Sequence, residues 1–168
     1  MKLQDKVALV TGAAGGIGLA IARRFVDEGA YVLLADRKEA ELTAAARALG
    51  ERAAAFVADV TDPAAAKALA DDCLARWGGL DICVCNAGVI RAADFLDLTL
   101  ADLDAVMNVN VRGTFLVAQA AARAMVAGGR RNGAIVTLSS MTAELAMPDQ
   151  LAYGASKGAV RQLSLIHI

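Results

Sequence analysis

The sequence of 168 residues has a single histidine, His167, and three cysteines, and these shortages remove several kinds of chemistry. Three cysteines, an odd number, do not make a disulfide framework. With one histidine the chain is not read as holding a Cys/His metal site or a Ser-His-Asp triad. Excess charge of either sign is also lacking: 17 basic and 18 acidic residues are interspersed and the formal net charge is −1, which leaves no basic footprint for nucleic acid. Hydrophobic residues reach 57%, but alanine inflates that figure and no apolar run approaches the ~20 residues of a membrane span. No transmembrane helix is expected. The charged start, Met1–Lys6, runs directly into an apolar stretch and leaves no room for the apolar region of a signal peptide, so the expected location is cytoplasmic. The length suggests one domain that buries about two-thirds of its unfolded surface.

What is present begins with Val7–Thr11, a buried-strand pattern, which passes into Gly12, Gly15, Gly16 and Gly18 and then into helical spacing with Ile17, Ala20, Ile21 and Phe25 as the inward face. A strand, tight turn and helix start form an anion site, because the first-turn N–H groups and the helix dipole favour phosphate. Gly12 makes the turn, Gly16 allows close approach, and Gly18 lets the helix pack on the sheet. The spacing Gly12-x-x-x-Gly16-x-Gly18 differs from the commonest dinucleotide fingerprint, so by itself the pattern also fits a glycine-rich turn that binds nothing.

Apolar strands then alternate with helices. Tyr31–Ala35 is a second strand ending at Asp36, where an acid can hold ribose hydroxyls and repel a 2′-phosphate, favouring NAD over NADP. Arg37 beside it could receive such a phosphate, and both residues could equally be a solvated pair. A helix over Glu39–Leu49 closes at Gly50, and a third strand, Ala53–Ala58, ends in Asp59 and Val60. Asp62 caps the next helix with Pro63 at its first position, and Gly78 follows Trp77. Asp81–Cys85 is a fourth strand, with Cys83 and Cys85 on one buried face, leading to Asn86, Ala87 and Gly88. Thr99 and Asp102 resemble a capping box for a helix with Leu103, Val106 and Met107 inward. A second helical run, Val111–Ala127, is apolar on nearly every side, as in a helix covered by more than one neighbour. After a polar turn at Gly128–Gly133, with Arg130 and Arg131 read as solvated, Ala134–Leu138 is a fifth strand. Ser139, Ser140, a loop with Pro148, and a last helix carrying Tyr153 and Lys157 complete the pattern. Five strand–helix repeats predict an α/β fold, a Rossmann-like doubly wound parallel sheet, with functional groups at the carboxyl ends of the strands.

Thr11–Gly18, Asn86–Gly88, Asn110 within Val109–Gly113, and the Ser140, Tyr153 and Lys157 spacing together resemble the classical short-chain dehydrogenases/reductases, from Lys6 to about Gln162. Cys85 departs from the family, which most often has asparagine there. The resemblance implies a nicotinamide cofactor held by Gly12, Gly16, Ile17, Gly18, Asp36, Arg37, Asp59, Val60, Asn86, Ala87, Gly88, Tyr153 and Lys157. Asp59 and Val60 would meet the adenine and Lys157 the nicotinamide ribose. Asn110 would organise a relay water. It also implies an enzyme interconverting a small alcohol and ketone, of 3-oxoacyl, sugar or polyol type, working as a homo-oligomer.

The residues themselves support that chemistry. Tyr153 and Lys157, at i and i+4, share one helix face, setting an ammonium beside a phenol suited to proton transfer. Ser140 would hold the substrate oxygen by a bond that strengthens as charge develops. Two other readings stand beside this one. The fold could serve a non-catalytic dinucleotide-binding module. Family members are also about half as long again, so the last strands of the family's sheet are missing and the chain could be an inactive fragment. The domain is therefore expected over residues 1–162, with 163–168 a non-native tail. That hexapeptide ends a helix without a capping glycine, and a sequencing-adaptor end would encode it.

Overall fold

β1 (Val7–Thr11) is apolar at four of its five positions and every residue in it is buried, which requires cover on both faces and a neighbour on each edge. The computed structural model, which describes residues 1–129 and 132–164, supplies both. Five parallel strands form one sheet in the order β3-β2-β1-β4-β5, with β2 at Tyr31–Asp36, β3 at Ala53–Val57, β4 at Ile82–Cys85 and β5 at Ala134–Thr137. In register, Ala8 lies between Val32 and Ile82. Alternate residues of β1 enter two cores: Val7 and Leu9 join Leu33, Leu69, Leu80 and Val117, while Ala8 and Val10 join Leu34 and Leu42. Helices α3 (Pro63–Trp77) and α5 (Thr114–Ala127) cover the first face, and α1 (Gly16–Asp27) and α2 (Glu39–Leu49) the second. The doubly wound α/β architecture is the expected one. Each fully buried Leu adds about 1.5–3 kcal/mol of transfer free energy.

The helix ends follow local chemistry. Asp62 accepts a hydrogen bond from the Ala64 N–H at 2.8 Å with Pro63 in the first turn, and Gly78 closes α3 in the left-handed conformation at φ 72°. Thr99 caps α4 (Leu100–Met107), accepting from the Asp102 N–H at 3.1 Å and donating to the Asp102 carboxylate at 2.7 Å. Strands three to five stop one residue short of their expected carboxyl ends or start one later.

Two features differ from the sequence reading. In α1, Ile17 is 65% exposed and Ala20 is exposed, while Gly18 and Ala22 are the buried positions; Ile21 and Phe25 pack on the core as expected, joined by Leu19 and Val26. Residues 100–127 are one continuous helical rod, with a π-helical segment at Asn108–Gly113 between α4 and α5. A three-residue 3₁₀ turn, Met141–Ala143, precedes α6 (Leu151–Ser164). Leu163 and Ser164 of the expected tail continue α6; residues 165–168, with His167, and Arg130 and Arg131 of the polar turn lie outside the described residues. Among the described residues no helix is long and apolar enough to cross a membrane.

Candidate active site

The glycine turn is shaped by steric need. Gly12 and Gly16 have φ of 64° and 54°, a region that glycine enters without strain. A Cβ on Gly12 would sit 2.8 Å from Asn86 Nδ2, and one on Gly18 would overlap the Gly12 carbonyl. At Gly15 and Gly16, by contrast, a Cβ would meet nothing within 4 Å. Those two glycines open onto a cavity of about 560 Å³ at the carboxyl ends of β1, β2 and β4, also lined by Gly12, Ile17, Asp36, Arg37, Asp59, Val60 and Asn86–Val89. Ile17, misplaced as a core residue by periodicity, is a wall of this cavity. Helical bonding in α1 begins only with Leu19 N–H to the Gly15 carbonyl, so the preceding N–H groups are available to an anion.

The ends of β1 and β4 are stitched together. The Thr11 hydroxyl accepts from the N–H groups of Asn86 and Ala87, both at 3.1 Å, and donates to the Val84 carbonyl. The Asn86 amide donates to the carbonyls of Thr11 at 2.9 Å and Gly12 at 3.1 Å. Asn86 thus fixes the turn. Asp36 accepts from the N–H groups of Lys38 at 3.1 Å and Ala14 at 3.3 Å. Arg37 pairs with Asp59 at 3.5 Å. Bonds from the Thr61 backbone and hydroxyl, with the Arg37 charge, hold the Asp59 carboxyl below the usual carboxylate range.

A second group of polar side chains lies beside this cavity. Asn110, fully buried in the π segment, accepts from the Val89 N–H at 2.8 Å and donates to the Val89 carbonyl and to Ser156 Oγ, both at 2.9 Å. Ser156 donates onward to the Tyr153 carbonyl at 2.7 Å. Lys157 Nζ donates to the Leu138 carbonyl at 2.7 Å and lies 5.5 Å from the centre of the Tyr153 ring; burial pushes the pKa of this ammonium below its ordinary value. The Ser139 hydroxyl donates to the Lys157 carbonyl. Ser140 caps the 3₁₀ turn. The two groups meet at Gly88: this cavity-lining residue would, with a Cβ, come within 3.3 Å of Asn110 Oδ1 and 3.7 Å of Lys157 Nζ. A second hollow of about 630 Å³ runs between residues 93–95, residues 142–144 and 146–151, and Gly154, Ala155 and Gly158 of α6; Ser140, Tyr153 and Lys157 are not in its lining.

Each cofactor candidate named from the sequence other than Gly18, Tyr153 and Lys157 lines the first cavity. Thr11, Ser156 and Thr142 escaped sequence reasoning. A hydroxyl residue ending a buried strand just before a glycine turn was the available signal for Thr11; Ser156 and Thr142 give none without the fold.

The chain matches the family described as short chain dehydrogenase over residues 6–166. It is 42% identical over 168 residues to a D-threitol dehydrogenase of Mycolicibacterium smegmatis, covering 98% of this chain and 64% of that protein. A galactitol 2-dehydrogenase (L-tagatose-forming) of Cereibacter sphaeroides is 46% identical over 166 residues, 97% of this chain and 64% of the relative. A mitochondrial (-)-isopiperitenol/(-)-carveol dehydrogenase of Mentha piperita is 42% identical over 172 residues, with 98% and 64% covered. The chain therefore spans a little under two-thirds of the length of these relatives.

Proposed function

The chain belongs to the short chain dehydrogenase family, and we propose that it acts as an NAD-dependent dehydrogenase interconverting a polyol hydroxyl and the corresponding ketone in the cytoplasm. The observation that carries this reading is the meeting at Gly88, where the nucleotide cavity comes up against Asn110 and Lys157, the latter 5.5 Å from the Tyr153 ring. Two of the three relatives above are named for polyols, and Glu144 and Gln150 give the hollow beside α6 hydrogen-bonding groups.

The cavity suits a dinucleotide: open space over Gly15 and Gly16, free N–H groups at the start of α1, and a carboxylate at Asp36. Asp36 favours ribose hydroxyls over a 2′-phosphate, and Arg37 is already paired with Asp59. These two facts support NAD rather than NADP. When bound, the nicotinamide supplies hydride chemistry. The chain's own residues orient and move protons. Ser140 donates to the substrate oxygen, and Tyr153 takes the hydroxyl proton in oxidation and returns it in reduction. Lys157 places its ammonium beside the phenol and toward the cavity wall. With its side chain committed to Val89 and Ser156, Asn110 would serve a water relay through its backbone carbonyl.

The test is absorbance at 340 nm with NAD or NADP and a panel of threitol, sorbitol, galactitol and carveol. Turnover of polyols with NAD is expected, and Tyr153→Phe should abolish it while NAD affinity stays within about two-fold. NAD binding without turnover of any alcohol would favour the dinucleotide-binding module or the inactive fragment over the dehydrogenase; turnover of carveol alone would replace the polyol.

A further inference from the structure

Ser140 Oγ receives two hydrogen bonds from one residue: the Thr142 N–H lies at 3.2 Å and the Thr142 hydroxyl at 3.0 Å. A hydroxyl oxygen has two acceptor sites and one proton. If both sites are filled by Thr142, the proton of Ser140 has nowhere to go within the pair and is left for an outside acceptor. We propose that Thr142 is a positioning residue that makes Ser140 a dedicated hydrogen-bond donor to the substrate oxygen. This rests on the dehydrogenase reading, in which Ser140 meets that oxygen.

The backbone N–H can only donate, so one acceptor site of Ser140 is fixed by the 3₁₀ turn itself. The direction of the hydroxyl pair is set by what lies at the end of the chain. As negative charge grows on the substrate oxygen, the order Thr142 to Ser140 to substrate aligns both O–H dipoles toward the charge, and each bond polarises the next. The reverse order would turn the Ser140 proton away from it. The turn is also held in place relative to Tyr153. A Cβ on Gly154, the residue after the tyrosine, would be 3.1 Å from the Thr142 carbonyl, so the glycine lets Thr142 pack directly on α6. Thr142 is half-buried.

The test compares Thr142→Val, Thr142→Ser, Ser140→Ala and the Ser140→Ala/Thr142→Val double variant in the same polyol assay. Valine keeps the shape and the N–H bond and removes only the hydroxyl. It should lower kcat about ten-fold with KM, NAD affinity and melting temperature nearly unchanged, and serine should restore kcat to within about two-fold. Because Thr142 acts through Ser140, adding Thr142→Val to Ser140→Ala should bring no further loss. Parental kcat in Thr142→Val, equal impairment in the valine and serine variants, or full additivity in the double variant would each overturn the proposal. Parental kcat in Ser140→Ala would instead overturn the placement of Ser140 at the substrate oxygen, and with it this inference.

Discussion

Gly18 is a position where one methyl group decides whether the nucleotide turn exists. Its Cβ would collide with the Gly12 carbonyl and stand 2.6 Å from Asn86 Nδ2, and neither can retreat, because the same Asn86 amide is bonded to Thr11 and Gly12. Gly18→Ala should destabilise the fold by about 1–3 kcal/mol, the usual range for overpacking, and weaken NAD binding at least ten-fold. Urea unfolding and fluorescence titration measure both, and parental values would refute the collision. Asp36 provides a charge test instead of a steric one. Asp36→Asn keeps the size and removes the repulsion of a 2′-phosphate, so the ratio of NAD to NADP affinity should fall, by roughly ten-fold for a shift of about 1.4 kcal/mol. An unchanged ratio would mean the carboxylate does not select the cofactor. These residues were legible in the sequence because glycine and strand-end acids carry strong positional meaning. Thr142 and Ser156 were not, since their partners, Ser140, Asn110 and the Tyr153 carbonyl, are brought to them by the fold.

Among the helices, α2 and α3 could be read to their ends because their signals are local: Gly50 and Gly78 adopt positive φ, and Asp62 with Pro63 starts α3. Asp62→Ala should cost about 1 kcal/mol of unfolding free energy without touching NAD affinity, measurable by the same urea titration; a loss of NAD affinity would show that α3 reaches the site. The face of α1 was misread for a physical reason. Ile21 and Phe25 do pack on the core as periodicity expects, but periodicity rewards large apolar side chains, whereas the fully covered positions are Gly18 and Ala22 and Ile17 is released to the cavity. The π segment was invisible too. Asn108–Gly113 contains no proline and only a terminal glycine, and the widened turn is tied down by Asn110 reaching Val89 and Ser156, contacts that no local pattern reveals.

Taken together, the fold gives a pH signature whose sign can be worked out. Burial, helped by the Asp72 charge, pushes the Cys73 thiol from its usual 9.0 up to about 12. Above pH 9 the unfolded chain releases a proton that the folded chain retains. Stability contributed at lower pH is therefore lost as pH rises from 9 toward 12, by up to ~1.4 kcal/mol per unit. Lys157 has the opposite sign, because its lowered pKa lets the unfolded chain bind more protons below 10.5. The difference between parent and Cys73→Ala unfolding curves isolates the thiol: it should shrink between pH 9 and 11, and a constant difference would refute the assignment. Phe115 and Val126 on α5 are 45% and 80% exposed, and we propose that this helix, apolar on nearly every side, packs against a second copy in the homo-oligomer the family resemblance implies; Val126→Glu should shift sedimentation toward the monomer, and a parental profile would remove α5 from the interface.

The strand order also sets a timetable for synthesis. Val7 is bonded to Asp81, 74 residues later, and β1 finds its second neighbour only in β4. At ~5–20 residues per second on the ribosome, one edge of the central strand waits several seconds for its partner. Through that interval the nucleotide cavity lacks the wall formed by Asn86–Gly88, so cofactor in the cell has no finished pocket on the nascent chain and can stabilise only what has emerged past it. The first half must be sheltered by its own two flanking strands and helices, or by a chaperone, until that wall arrives.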